Sequence, residues 1–191
     1  MIQQRILLLG VIFFSLHAIA QDDEEKVNLT DFNTKKHELR IDAVEGLIVP
    51  AIDIGYEYVL SKYSGIGLSV NIALDSEGDL DFPQEFAVTP YYRQYFFNRK
   101  DYGARGFYAE GLLQYATGDE SVFFFDELTG ISSRSLRDWS QFGVGFAIGQ
   151  KWVSRNGFVV ELSLGGGRYF GGEDFAPGGF FRGGASIGYR F

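Results

Sequence analysis

Eight stretches of this chain alternate apolar residues with polar or small ones at a period of two, which antiparallel β-structure satisfies and a helix does not. Ile52, Ile54, Tyr56 and Tyr58 alternate with Asp53, Gly55 and Glu57, and Ile66, Leu68, Val70 and Ile72 with Gly67, Ser69 and Asn71. Leu39, Ile41 and Ala43 oppose Glu38, Arg40 and Asp42; Phe86, Val88, Pro90 and Tyr92 oppose Thr89, Tyr91 and Arg93. Phe107, Ala109, Leu113 and Tyr115 oppose Tyr108, Glu110 and Gln114. Phe142, Val144, Phe146, Ile148 and Trp152 oppose Gly143, Gly145, Ala147, Gly149 and Lys151, and Phe158, Val160, Leu162 and Leu164 oppose Glu161, Ser163 and Gly165. The last stretch sets Phe181, Ala185, Ile187, Tyr189 and Phe191 against Arg182, Gly184, Ser186, Gly188 and Arg190. With 25 Gly, 19 Phe and 11 Tyr beside a single Met, the composition is also not that of a helical bundle.

The connections fix the topology. Residues 60–64 and Ser154-Arg155-Asn156-Gly157 are short, the second with the Asn-Gly pair that favours a tight hairpin. Residues 75–84, 118–138 and 171–179 form longer, mostly polar connections. Short turns at one end and long loops at the other, with an even strand number, describe an outer-membrane barrel with both termini in the periplasm. Two connections depart from that rule: 46–50 is short for an outer loop, and 97–105 is long for a periplasmic turn. Pro90 lacks a ladder donor inside its strand, which predicts a bulge there.

The N-terminus carries one positive charge, an apolar run from Ile6 to Ala20 and the small-x-small triplet Ala18-Ile19-Ala20 before an acidic stretch. This is the pattern of a secretory signal peptide over residues 1–20, cleaved after Ala20. The run is too short for a spanning helix, which needs roughly 20 apolar residues. Residues 21–36 read as a flexible periplasmic segment without periodicity, and 37–191 as the barrel domain. The absence of cysteine excludes a disulfide scaffold, a lipoprotein anchor and thiol chemistry. A net charge of −8 argues against a nucleic-acid partner, which needs clustered Lys and Arg.

Alternation does not by itself separate a membrane barrel from a soluble one. The polar face does: a soluble barrel solvates its exterior with Lys, Glu, Asp and Thr, whereas this face is rich in Gly, Ser and Ala with scattered charges. Small residues suit the interior of a narrow barrel, where eight strands leave room only for side chains. The apolar face then meets lipid, and its aromatic residues fall at both strand ends, as interfacial belts do. The fold expected is an all-β, eight-stranded antiparallel transmembrane β-barrel, an up-and-down meander in the cell outer membrane.

The inward positions collect Glu38, Arg40, Asp42, Asp53, Glu57, Arg93, Glu110, Lys151, Glu161, Arg182 and Arg190. Charges so confined must pair, so they read as a lumen charge network that fills the barrel, with a proton or ion path as the alternative. His37, the one histidine after the signal, has no serine partner near it in this layout, so no catalytic, metal or cofactor site is expected and the protein reads as a non-enzyme. Asp75, Glu77, Asp79 and Asp81 form an acidic outer loop, either solvated or bridged by divalent cations to lipopolysaccharide, though their spacing is not that of an EF-hand. Phe123, Phe124 and Phe125 make an apolar run in the connection 118–138, which either packs on itself or contacts another outer-membrane protein.

Gly55-Tyr56-Glu57-Tyr58-Val59-Leu60, Pro90-Tyr91-Tyr92-Arg93 and the ending Gly188-Tyr189-Arg190-Phe191 resemble the small barrel proteins of Bacteroidota outer membranes, a family of unassigned function with an OmpA/OmpX-like barrel. The resemblance covers most of the chain from His37 onward. It implies that Ile187, Tyr189 and Phe191 form the signal read by the barrel-assembly machinery, and it implies no reaction. The function expected is that of an integral barrel with a side-chain-filled lumen, in contact with lipid and lipopolysaccharide and serving a structural or partner-docking role. The alternatives are an outer-membrane enzyme acting on lipid and a transporter of small solutes or ions.

Overall fold

The computed structural model describes residues 35–42, 51–74, 84–96, 103–126, 131–171 and 175–191, with backbone alone at 121–126 and 131–134. The signal peptide expected at 1–20, most of the segment 21–36, Ala43, the connection 46–50 and the acidic loop 75–83 lie outside the described residues. Eight strands follow one another: β1 (His37–Asp42), β2 (Ala51–Ser61), β3 (Ser64–Ala73), β4 (Phe86–Phe96), β5 (Gly106–Asp126), β6 (Ile131–Val153), β7 (Phe158–Phe170) and β8 (Gly179–Arg190). Each pairs antiparallel with its neighbours in chain order, and β1 pairs with β8, so the sheet closes into an eight-stranded meander barrel. Closure pairs the first strand with the last, leaving the barrel wall without the open edges that a flat sheet would expose.

The alternation dictates which side chains enter the lumen. Leu39, Ile54, Leu68, Val144, Phe146 and Ile187 stand exposed on the outside, Phe146 at 56 %. Glu38, Glu57, Arg93, Glu110, Lys151 and Glu161 are buried inside, Glu38 and Glu57 completely. The molecule is therefore apolar without and charged within, the inverse of a water-soluble barrel.

At the end carrying His37 and Phe191 the β2–β3 and β6–β7 turns are tight. Gly157 N–H donates to Ser154 O (3.1 Å), Ser154 N–H to Phe158 O (2.8 Å), and Gly157 takes φ +93°. A Cβ on Gly157 would meet the Arg190 carbonyl oxygen as well as the left-handed backbone. Gly157→Ala is expected to cost about 1–3 kcal/mol, read as a lower urea midpoint at unchanged slope. An unchanged midpoint would contradict this account of the turn.

Two expectations are corrected, and one connection shows an arrangement that its sequence does not announce. The segment 118–138 is not a loop for most of its length, because β5 and β6 run on past the barrel rim. From Gly118↔Trp139 to Asp126↔Ile131 they pair, among the described residues, only with each other, β4 ending against Thr117 and β7 against Phe142. These nine residue pairs make a two-stranded ribbon, about 30 Å long at roughly 3.4 Å per residue. Pro90 produces no bulge: β3 pairs through it without a break (Leu68↔Pro90, Ser69↔Thr89). On the β5 side Thr89 and Pro90 are skipped, yet Val88↔Tyr115 and Tyr91↔Leu112 keep one register. The missing N–H thus interrupts the ladder without shifting it. Finally, the long connection before β5 folds inward. Gly103 and Ala104 are buried at the barrel floor, Ala104 at φ 53°, with its N–H donating to Lys62 O (2.9 Å).

Candidate functional site

The lumen is filled in layers. Its floor is an apolar cluster of Val59, Tyr95, Ala104 and Tyr108, which closes the barrel at the end of the tight turns. Above it lies the charge network, with members from every strand except β3 in its lower part. In that part four carboxylates, Glu38, Glu57, Glu110 and Glu161, meet four cations, Arg40, Arg93, Lys151 and Arg190, all essentially out of solvent.

Arg93 is the hub. Its Nε donates to Glu110 Oε2 (2.6 Å), Nη1 to Glu57 Oε2 (2.8 Å) and Glu161 Oε2 (2.7 Å), and Nη2 to Glu161 Oε1 (2.9 Å). Lys151 Nζ donates to Glu38 Oε1 and Glu57 Oε2, both at 2.8 Å. Arg40 binds Glu161 and the Tyr91 hydroxyl, with Glu57 at 3.3 Å and Glu38 at 3.5 Å. Arg190 pairs with Glu38 Oε2 (2.9 Å) and donates to the carbonyls of Gly103 and Ala104, each at 2.7 Å. The inward fold of the connection before β5 is thereby tied to the last strand.

A network this dry is stable only when its lone pairs and protons are met, and tyrosines supply what the charged groups do not. Tyr95 O–H donates to Glu57 Oε1 (2.6 Å) and Tyr108 O–H to Glu161 Oε1 (2.8 Å). The Arg93 guanidinium lies 4.3 Å from the Tyr108 ring centroid and 4.6 Å from that of Tyr91. Charge alone does not point to these tyrosines. Their signal was their parity, since Tyr91 and Tyr95 share a face with Arg93, and Tyr108 with Glu110. Strand β3 contributes space instead of charge. A Cβ on Gly65 would come within 2.6 Å of Glu57 Oε1, and one on Gly67 would strike the Tyr91 ring.

Higher up, Arg182 links the network to Asp53 (3.3 Å), Glu110 (3.2 Å) and Ser69 (2.9 Å). Between these groups is a cavity of about 30 Å³ lined by Arg40, Asp42, Asp53, Ser69, Arg93, Glu161, Arg182 and Ser186 among others. That is room for about two waters at roughly 10–15 Å³ each. Asp42 lines the cavity and lies over Gly184, so the structure brings all eleven inward charged residues to one lumen. A third layer of Ala87, Ala116, Trp139 and Tyr169, with Phe175, Ala176 and Phe180 against it, roofs the lumen at the opposite end.

The other selected residues lie apart from this lumen. Ile187, Tyr189 and Phe191 are each 49 % exposed on the outer face. Phe123, Phe124 and Phe125 belong to the ribbon backbone, opposite Arg134, Ser133 and Ser132, and their side chains are outside the described residues. His37 sits at the exposed start of β1, its Nδ1 2.7 Å from the Tyr56 hydroxyl and its ring stacked on Phe191 at 5.9 Å. Among the described residues no three His, Cys, Asp or Glu side chains are arranged to hold a metal.

Neither a family model nor a curated protein matches the chain. Among solved structures, it is similar to the N-terminal β-barrel domain of Pseudomonas aeruginosa OprF, at 14 % identity over 82 % of this chain and 96 % of that one, with a TM-score of 0.36.

Proposed function

We propose that this chain is an integral outer-membrane β-barrel with a plugged lumen, exported by a signal peptide cleaved after Ala20, that serves a structural or partner-docking role. The inverted polarity of the closed barrel carries this reading. A continuous apolar exterior of Leu, Ile, Val and aromatic side chains has no stable place in water, and strands of 10–11 residues such as β2, β3 and β4 match a tilted membrane crossing. The short motifs shared with small Bacteroidota barrels point the same way. Boiling is the direct test: purified protein run unboiled should migrate apart from boiled protein on a denaturing gel. Identical mobility after folding into detergent would overturn the membrane reading.

Lipid and lipopolysaccharide surround such a barrel, and the assembly machinery inserts it, with Ile187, Tyr189 and Phe191 as its signal. Docking falls to the β5–β6 ribbon, which rises beyond the rim with both edges unpaired among the described residues and carries Phe123, Phe124 and Phe125. Such edges are ready templates for another chain. A photocrosslinker at Phe124 in native membranes should trap one outer-membrane protein, and a free-running product would remove the docking role.

The sealed lumen supports a non-conducting, non-catalytic barrel. No stable ohmic conductance is expected from purified protein in a planar bilayer, because Arg93 and Lys151 with their carboxylates fill the middle of the lumen out of solvent. A steady open level would favour the transporter instead. His37 engages Tyr56 and Phe191, a structural use that supports the absence of an acyl-transfer centre.

A further inference from the structure

The roof of the lumen contains two buried polar atoms that are unmet among the described residues. Trp139 and Gln141 occupy successive inward positions on β6, opposite Gly118 and Ala116, and are 6 % and 5 % exposed. Trp139 Nε1 and Gln141 Oε1 are buried with no hydrogen-bond partner among the described residues. Orphaned buried atoms are rare in native structures and call for a specific cause. These two have opposite senses: an indole N–H only donates, and an amide oxygen only accepts. A hydroxyl group meets both at once.

Their surroundings narrow the chemistry further. The neighbouring inward groups are neutral amides and rings. Tyr169 O–H donates to Gln114 Oε1 (2.9 Å) and lies 3.1 Å from Gln84 Oε1, and Gln114 Nε2 in turn donates to Thr89 Oγ1 (3.2 Å). Tyr169 stands 5.8 Å from the Trp139 ring and 4.9 Å from Phe180, centroid to centroid. Phe175, from the β7–β8 connection, packs against this cluster, and the Arg137 guanidinium lies 5.5 Å from its ring centroid. Aromatic faces beside uncharged amides suit a ligand with an apolar ring face and hydroxyl edges. The charged cavity below is the wrong environment for such a ligand; the roof is not.

We propose that this end of the lumen binds a neutral saccharide, with one pyranose ring taking the place of the Phe175 ring against the aromatic cluster. One of its hydroxyls accepts from Trp139 Nε1 and donates to Gln141 Oε1. Phe175, which packs against the same aromatic cluster, is then a built-in competitor of similar shape. Only the side of the membrane that this mouth faces rests on the proposed topology.

Tryptophan fluorescence gives the test. The chain has two tryptophans, and Trp152 is on the lipid-facing surface at 46 % exposure. Trp152→Phe therefore leaves Trp139 as the sole reporter, in full-length protein folded in a zwitterionic, sugar-free detergent. Titration with the methyl glycosides of glucose, galactose, mannose and N-acetylglucosamine should give a saturable change in Trp139 emission for at least one. Phe175→Ala added to Trp152→Phe should tighten that response about tenfold by removing the competitor, and Gln141→Leu should weaken it about tenfold by removing the acceptor. A lipid-free lipopolysaccharide core oligosaccharide, titrated in parallel, separates an envelope sugar from a diffusible one. No saturable change in either Trp152→Phe or Trp152→Phe/Phe175→Ala would overturn the proposal. So would an equal response to glycerol, which reduces the polar pair to a site for a bridging water. Should Gln141→Leu not fold, the Phe175→Ala comparison decides alone. Because the titration runs in detergent, its failure leaves the membrane reading untouched.

Discussion

Arg93→Met is expected to destabilise the folded barrel by about 3–5 kcal/mol, the cost of leaving buried charge without its partner. Arg93 touches Glu57, Glu110 and Glu161 at once, and each of these is at most 3 % exposed. Without the guanidinium, Glu110 keeps Arg182 at 3.2 Å, while Glu57 and Glu161 fall back on Arg40 and Lys151. The remaining cations already serve Glu38, so the deficit spreads through the layer. Urea titration of the folded, unboiled gel band should show the loss. Adding Glu161→Gln to Arg93→Met should recover part of it, because the second change removes one stranded carboxylate. A single variant within about 0.5 kcal/mol of the parent, the range of ordinary surface substitutions, would mean that the network fills space without holding the fold.

Deletion of Phe191 is the second large effect. Its backbone closes the barrel, with N–H donating to His37 O (2.8 Å) and its carbonyl accepting from His37 N–H (3.1 Å). Its ring stacks on the His37 imidazole, and its outward position suits a signal for assembly. The truncated chain should reach the membrane several-fold less than the parent. Folding into detergent from urea separates the two contributions. A defect confined to cells assigns Phe191 to recognition by the assembly machinery, whereas an equal defect in vitro assigns it to closure of β1 on β8. Normal membrane levels of the truncated chain would remove both roles.

The parity of side chains made the barrel legible. A one-residue slip would carry Phe142, Val144 and Phe146 into the lumen, so the sequence of β6 admits one facing. The membership of the charge network follows from the same parity, but its pairings do not. That Arg93 reaches Glu161, 68 residues away, depends on the stagger of all the strands between them. The ribbon is harder to read because its sequence drops the period of two: Val122, Phe123, Phe124 and Phe125 follow one another without a break, opposite Ser135, Arg134, Ser133 and Ser132. The inward fold at Gly103 and Ala104 left no mark because its stability comes from Arg190, at the other end of the sequence. Pro90 shows the opposite error: a local rule predicted a bulge, yet the uninterrupted pairing with β3 holds the strand in register.

The tie between Glu38 and Arg190 spans 152 residues and so sets an order of events. Until β8 is paired, β1 carries Glu38 and Arg40 with most of their partners still to come. Burying that unmatched charge is expensive, so water remains the better solvent for it until the last strand arrives. Contacts this distant in sequence also slow folding. The charged interior thus acts as a timer, withholding its share of the barrel's stability until the final dozen residues are in place.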